Sequence, residues 1–164
     1  MSATPRAGGE NSSDDDGDSA VAAFFAGQSM ARTVFECVRA ALETAGGCEV
    51  RVSKSQVAFR RRRGFAYLWL PAQYLARPSA DVVLSIALGR RDPSPRWKEV
   101  VHPAAAHWMH HLEVTTPGDI DDEVAGWLRE AAARAGGPRP PPGPQLRRTA
   151  TFSAPEATGS ANRS

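Results

Sequence analysis

The stretch Lys54-Ser-Gln-Val-Ala-Phe-Arg-Arg-Arg-Arg-Gly-Phe-Ala-Tyr-Leu-Trp-Leu70 constrains the fold most. Apolar and aromatic residues alternate on either side of a basic, glycine-containing tip, the pattern of a β-hairpin. A two-residue turn at Arg63-Gly64 would force an arginine to positive φ. A three-residue turn, Arg62-Arg63-Gly64, asks only Gly64 to be left-handed. That register sets Arg61 opposite Phe65. It predicts Val57, Phe59, Phe65, Tyr67 and Trp69 on one face, and Ala58, Arg60, Ala66, Leu68 and Leu70 on the other. The aromatic face is then the one that helices should cover, because aromatic side chains bury the largest areas.

The flanking sequence supplies those helices. Val21 to Phe25 reads as about one helical turn. A helix from Met30 to Ala45, with Ser29 as its N-cap, puts Met30, Val34, Phe35, Val38, Ala41 and Leu42 on one side. Gly46-Gly47 ends it. Strands are predicted near Cys48 to Val52, Val82 to Leu88, Trp97 to Val101 and Trp108 to Val114. Thr116-Pro117-Gly118-Asp119 carries the cap hydroxyl, first-turn proline and acid of a helix start. Ile120, Val124, Trp127, Leu128 and Ala131 form the stripe of that last helix, with Glu130 and Arg134 as a supporting pair four residues apart. The order predicts an α+β domain: an antiparallel sheet of about five strands with N- and C-terminal helices packed on one face.

The chain has 164 residues, 41% hydrophobic and 23% charged, with net charge +2. This suits one folded domain, placed at residues 20–136, where a single core is affordable. Residues 1–19 are acidic and polar and are expected to be disordered. Residues 137–164 open on a proline run, favour extended conformations and are likewise expected to be disordered. Arg147-Arg148-Thr149-Ala-Thr151 in this tail resembles a weak kinase-substrate pattern, more simply read as a solubilising tail. No membrane span or signal peptide is read, and two cysteines, Cys37 and Cys48, make no disulfide framework, which together point to the cytoplasm.

Charge is segregated: residues 51–98 hold eleven Lys or Arg against Asp81 and Asp92. Lys54, Arg60, Arg62, Arg63, Arg90, Arg91, Arg96 and Lys98 are therefore the candidate surface for an anionic ligand, nucleic acid or a protein partner. The bland alternative is a solvated face that neighbouring acids neutralise. His102, His107, His110 and His111 are candidate metal ligands, but in a strand His107 and His111 share one face and His110 takes the other, which suits one metal poorly. No phosphate loop, nucleophile elbow or zinc-protease motif is present, so no catalytic, cofactor or metal residue is nominated. The reading is a non-enzymatic binding or interaction module. Its alternative is an iron carrier or small-molecule enzyme with a sheet pocket near Lys54, Tyr67, Trp69 and the histidines.

Phe24-Phe25-Ala-Gly27, Val34-Phe35, Lys54-Ser55-Gln-Val-Ala-Phe59, Arg63-Gly-Phe65-Ala66, His110-His111 and Asp119-Ile-Asp121 through Trp127-Leu128 together resemble domain of unknown function family 5655, over roughly residues 20–135. The resemblance implies the α+β fold and no particular activity. The layout is also similar to small α+β domains that include a proposed frataxin-like iron chaperone. Frataxins carry an acidic ridge on their first helix, where this chain has only Glu36 and Glu43.

Overall fold

The computed structural model describes residues 12–138. Its elements are α1 (Ser12–Phe24), α2 (Ser29–Thr44), β1 (Glu49–Val52), β2 (Val57–Arg60), β3 (Gly64–Trp69), β4 (Val82–Leu88), β5 (Glu99–Ala104), β6 (His107–Val114) and α3 (Asp122–Gly136). The strands form one antiparallel sheet in the order β1-β2-β3-β4-β6-β5. The fold is α+β as expected, with six strands instead of about five.

The stripes of α2 and α3 drive the packing. Val34, Phe35, Val38 and Leu42 from α2, and Val124, Leu128 and Ala131 from α3, are buried with Val57, Phe59, Leu68, Leu84 and Ile86 of the sheet. Phe35 stacks on Phe59 with ring centroids 5.7 Å apart. Gly46 and Gly47, at φ 99° and 75°, turn the chain out of α2 in the left-handed region that glycine tolerates. Ser29 is the first residue of α2, and the N-cap position falls to Gln28, which makes no side-chain cap bond. Helix α1 includes residues 12–19, assigned to disorder from composition; Val21 and Phe25 anchor it in the core, and Asp18 accepts a bond from Arg39 of α2 at 3.0 Å. Residues 1–11 and the tail from 139, with its proline run and threonine motif, lie outside the described residues.

The hairpin departs from its expected register. Val57 pairs with Leu68, Ala58 with Tyr67 and Phe59 with Ala66, and then the register shifts so that Arg60 pairs with Gly64. Phe65 is the extra residue of a β-bulge, a device that re-aims side chains near a turn. Gly64 is not left-handed. Its missing side chain instead makes room for Tyr67, whose ring and hydroxyl would collide with a Cβ at position 64. Val57, Phe59, Leu68 and the bulged Phe65 therefore lie in the core, while Tyr67 and Trp69 are half-buried on the opposite face. Gly64→Ala is expected to cost about 1–3 kcal/mol by overpacking. Tyr67→Phe, which removes the nearest clashing atom, should restore part of that in a double-mutant cycle. Strict additivity would contradict the contact.

The four arginines divide by role. Arg61 donates to the Ala45 and Gly47 carbonyls at 2.6 and 3.0 Å, at the C-terminus of α2. Arg63 donates to the Arg134 carbonyl in the last turn of α3. A cation at a helix C-terminus satisfies orphan carbonyls and opposes the negative end of the dipole. Arg62 is exposed at the tip. Arg61→Ala is expected to cost about 1.5–3 kcal/mol, as for hydrogen bonds made by a charged group, and Arg62→Ala no more than about 0.5 kcal/mol. Equal costs in chemical denaturation would contradict this division.

The start of α3 also differs in detail. Thr116 and Asp119 form the expected capping box, but on a separate 3-10 turn, Pro117–Asp119. The cap of α3 itself is Asp121, which accepts from the Val124 amide at 3.1 Å. Glu130 pairs with Arg90 at 2.9 Å instead of Arg134, whose guanidinium reaches the Ala106 carbonyl.

A buried polar knot ties α3 to the sheet. The Asp92 carboxylate accepts from the Trp97 indole at 3.0 Å, the Trp127 indole at 3.2 Å, the Ser94 amide at 3.0 Å and Arg90 at 2.9 Å. Burial pushes its carboxyl up, but these hydrogen bonds outweigh burial and hold it below the usual range. The Asp92 amide donates to His110 Nε2 at 2.9 Å, which requires a neutral imidazole. Trp97 packs on Trp127 and on His110, with centroids 4.1 and 4.8 Å away.

Burial lowers His107, His110 and His111 alike. A depressed folded value means that the unfolded chain takes the proton more readily. Stability is then full above the unfolded histidine value of about 6.5 and is lost as the pH falls through the lower folded values. Urea midpoints measured from pH 7.5 to 5 are expected to fall. A flat profile would contradict buried neutral histidines.

Candidate functional site

Among the described residues all three helices pack from one side, and the other face of the sheet carries its own side chains and the loop after β3. Strand pairing places one residue from each strand in a row across it: Arg51, Ala58, Tyr67, Ser85, His111 and Glu99. Ser85 is the one hydroxyl in the apolar strand Val82–Leu88, and it is 4% exposed. Trp69 Nε1 donates to Ser85 Oγ at 3.2 Å, and Ser85 Oγ lies 2.7 Å from His111 Nδ1.

Indole can only donate, so Ser85 accepts from Trp69 and has its own hydrogen free for His111 Nδ1. That arrangement pairs Trp69 Nε1, Ser85 Oγ and His111 Nδ1 and places the imidazole proton on Nε2. Burial holds His111 below the ordinary imidazole range, with Glu99 opposing the shift, and the neutral ring fits the acceptor role.

This relay floors a cavity of about 440 Å³ lined by Ser55, Gln56, Tyr67, Trp69, Tyr74, Ser85, Met109 and His111. Tyr74, on the loop after β3, is 61% exposed and meets Trp69 edge-on at 6.4 Å between centroids. A second hollow of about 430 Å³ adjoins it, with Gln56 and Tyr67 in both linings, and is bordered by Arg51, Ser53, Ala58, Arg60 and Gly64. A smaller one of about 130 Å³ lies on the far side of Trp69 and His111, between Leu75, Val83, Lys98 and Glu113. The result is a groove across the sheet that combines aromatic walls with polar side chains, Ser55, Gln56, Ser85 and His111 in the first hollow and Arg51, Ser53 and Arg60 in the second.

The candidate cations differ in their partners. Arg60 borders the second hollow, Arg62 and Arg91 are exposed, and Lys54 lies exposed beside the groove-lining Ser55 and Gln56. Arg63 caps α3. Arg90 pairs with Asp92 and Glu130. Arg96 pairs with Asp121 and Glu123 at 2.9 and 2.7 Å and lies over the Trp127 ring. Lys98 pairs with Glu113 at 3.3 Å.

The histidines are dispersed too: His102 stacks on Trp108 with centroids 3.7 Å apart, His110 is in the core, and His111 lines the groove. Among the described residues no three His, Cys, Asp or Glu side chains are grouped as a metal requires. Cys37 and Cys48 are free and half-buried, and burial pushes the Cys48 thiol up, which lowers its thiolate fraction.

Ser85 and Met109 were not singled out from sequence. Only the hydroxyl interrupting an apolar strand hinted at the first, and nothing marked the second until register placed it beside Ala87. Of the residues expected around a sheet pocket, Tyr67, Trp69 and His111 line a hollow on the helix-free face and Lys54 does not, because the bulge turned both aromatics away from the helices.

No helix among the described residues is long and apolar enough to cross a membrane. Neither the curated proteins nor the solved structures contain a match to this chain. Residues 21–132, well over half the chain, match the family described as a domain of unknown function (DUF5655), and the chain belongs to that family.

Proposed function

We propose that the domain is a binding module whose ligand, a small molecule with a planar apolar part, seats in the groove on the helix-free face of the sheet. The observation that carries this is the Trp69–Ser85–His111 relay at the floor of the cavity. Two polar side chains are held in fixed orientation among aromatic walls, which is what pre-organised recognition needs. A broad basic surface for nucleic acid has less support, since Arg61, Arg63, Arg90 and Arg96 are engaged by carbonyls or carboxylates of the same fold.

A thermal-shift screen of small planar aromatic compounds tests the reading. A ligand at a hundred times its Kd stabilises the folded state by about 2.7 kcal/mol. Hits on the wild type are expected to bind about 2- to 10-fold more weakly to Ser85→Ala and His111→Gln, the cost of one lost hydrogen bond. Hits that shift both variants as much as the wild type would place the ligand elsewhere.

A further inference from the structure

Resting on that reading, the charge at one end of the groove defines the ligand class. We infer that the ligand is a small planar aromatic carboxylate, its ring system on Tyr67 and Trp69 and its carboxylate on Arg60.

Arg60 Nε is buried without a hydrogen-bond partner, alone in this among the buried side-chain nitrogens and oxygens of the described residues. A buried donor left unpaired is costly, and an acceptor brought by a ligand removes that cost. The residue is also in the right place. Arg60 faces Glu49 across β1 and Gly64 across β3, and it borders the hollow next to Tyr67. The Tyr67 ring extends over Gly64, so it runs from the Ser85 row towards Arg60. Glycine at 64 thus keeps the aromatic wall and the cation continuous.

Local charge selects the anion. Arg51 borders the same hollow, but its Nε donates to Glu49 at 2.7 Å. Glu49, Arg51 and Arg60 together carry one net positive charge, which one carboxylate neutralises and a phosphate dianion exceeds. The guanidinium edge, Nε–H with a neighbouring Nη–H, matches the two oxygens of a planar carboxylate.

Calorimetric titration of the full chain with 2-naphthoate, 2-naphthamide and 2-naphthyl phosphate tests the inference. The wild type should bind naphthoate at least about 10-fold more tightly than the amide, the return on a hydrogen bond to a charged group. Arg60→Gln should bring that ratio to about one, and Arg60→Lys, which keeps the charge without the fork, should lower it at least about three-fold. The amide, whose carbonyl can also accept from Arg60, should lose no more than about 10-fold in either variant, the worth of one hydrogen bond without the charge pairing, and its retained binding shows that the groove is intact.

Equal affinity of the wild type for naphthoate and amide would overturn the carboxylate inference and leave the groove reading standing. Naphthyl phosphate binding about 10-fold more tightly than naphthoate would overturn the charge assignment. Failure of both naphthoate and amide to bind would overturn the inference, with the groove reading then decided separately by the thermal-shift screen.

Discussion

Asp92→Ala is expected to lower the stability of the domain by about 3–5 kcal/mol, the range for removing one partner of a buried charged pair. The cost comes from what is left behind. Trp97 and Trp127 are 8% and 6% exposed, and each would keep an indole N–H with no acceptor. Each orphaned donor costs about 1–3 kcal/mol. Asp92→Asn keeps one carbonyl oxygen for one indole and should cost about half as much. Arg90→Ala should cost less than about 1 kcal/mol, because Arg90 is half-exposed and water replaces its pair. Urea denaturation at pH 7.5 separates the three. A loss below 1 kcal/mol for Asp92→Ala would show that the indoles find other acceptors and that the knot does not hold α3 to the sheet.

Leu68→Ala is expected to cost about 2–5 kcal/mol, the range for truncating a fully buried leucine. Tyr67→Ala, one residue earlier, should cost about 1 kcal/mol. Leu68 is 0% exposed beneath the helices, whereas Tyr67 is half-buried on the open face. The register expected from the turn chemistry alone gives the opposite ranking, since it buries Tyr67 and leaves Leu68 outside. The order of the two unfolding midpoints therefore decides which face the helices cover.

Much of the fold was legible because its signals are local. The stripes of α2 and α3 repeat with helical period, Gly46-Gly47 marks a stop, and the apolar run Val82–Leu88 marks a central strand. The family was legible for the same reason, from residue patterns within single elements. The bulge at Phe65 was not, because two properties of glycine compete at position 64. Its freedom at positive φ suggests a turn, whereas its missing Cβ, the property used here, serves a contact with Tyr67 three residues on. A single bulge then reverses the face of Tyr67 and Trp69.

The arginine run hid its meaning for a related reason. Four identical side chains in a row give no local clue that Arg61 and Arg63 meet two helix C-termini that lie 14 and 71 residues away in sequence. The groove depended on both: with the register shifted by one residue, Ser85 and His111 would have faced Leu68 rather than Tyr67. The capping box at Thr116 was read correctly as chemistry and placed on the wrong element, because Asp121 offers a second cap five residues later.

On the proposed function, the helix-free sheet face is where this domain meets its ligand. Fragment binding mapped by amide chemical shifts tests it most directly. Shifts gathered on Gln56, Tyr67, Trp69, Ser85 and His111 are the expected result. Shifts gathered on Arg62, Arg91 or the outer faces of α2 and α3, with the groove unmoved, would contradict it.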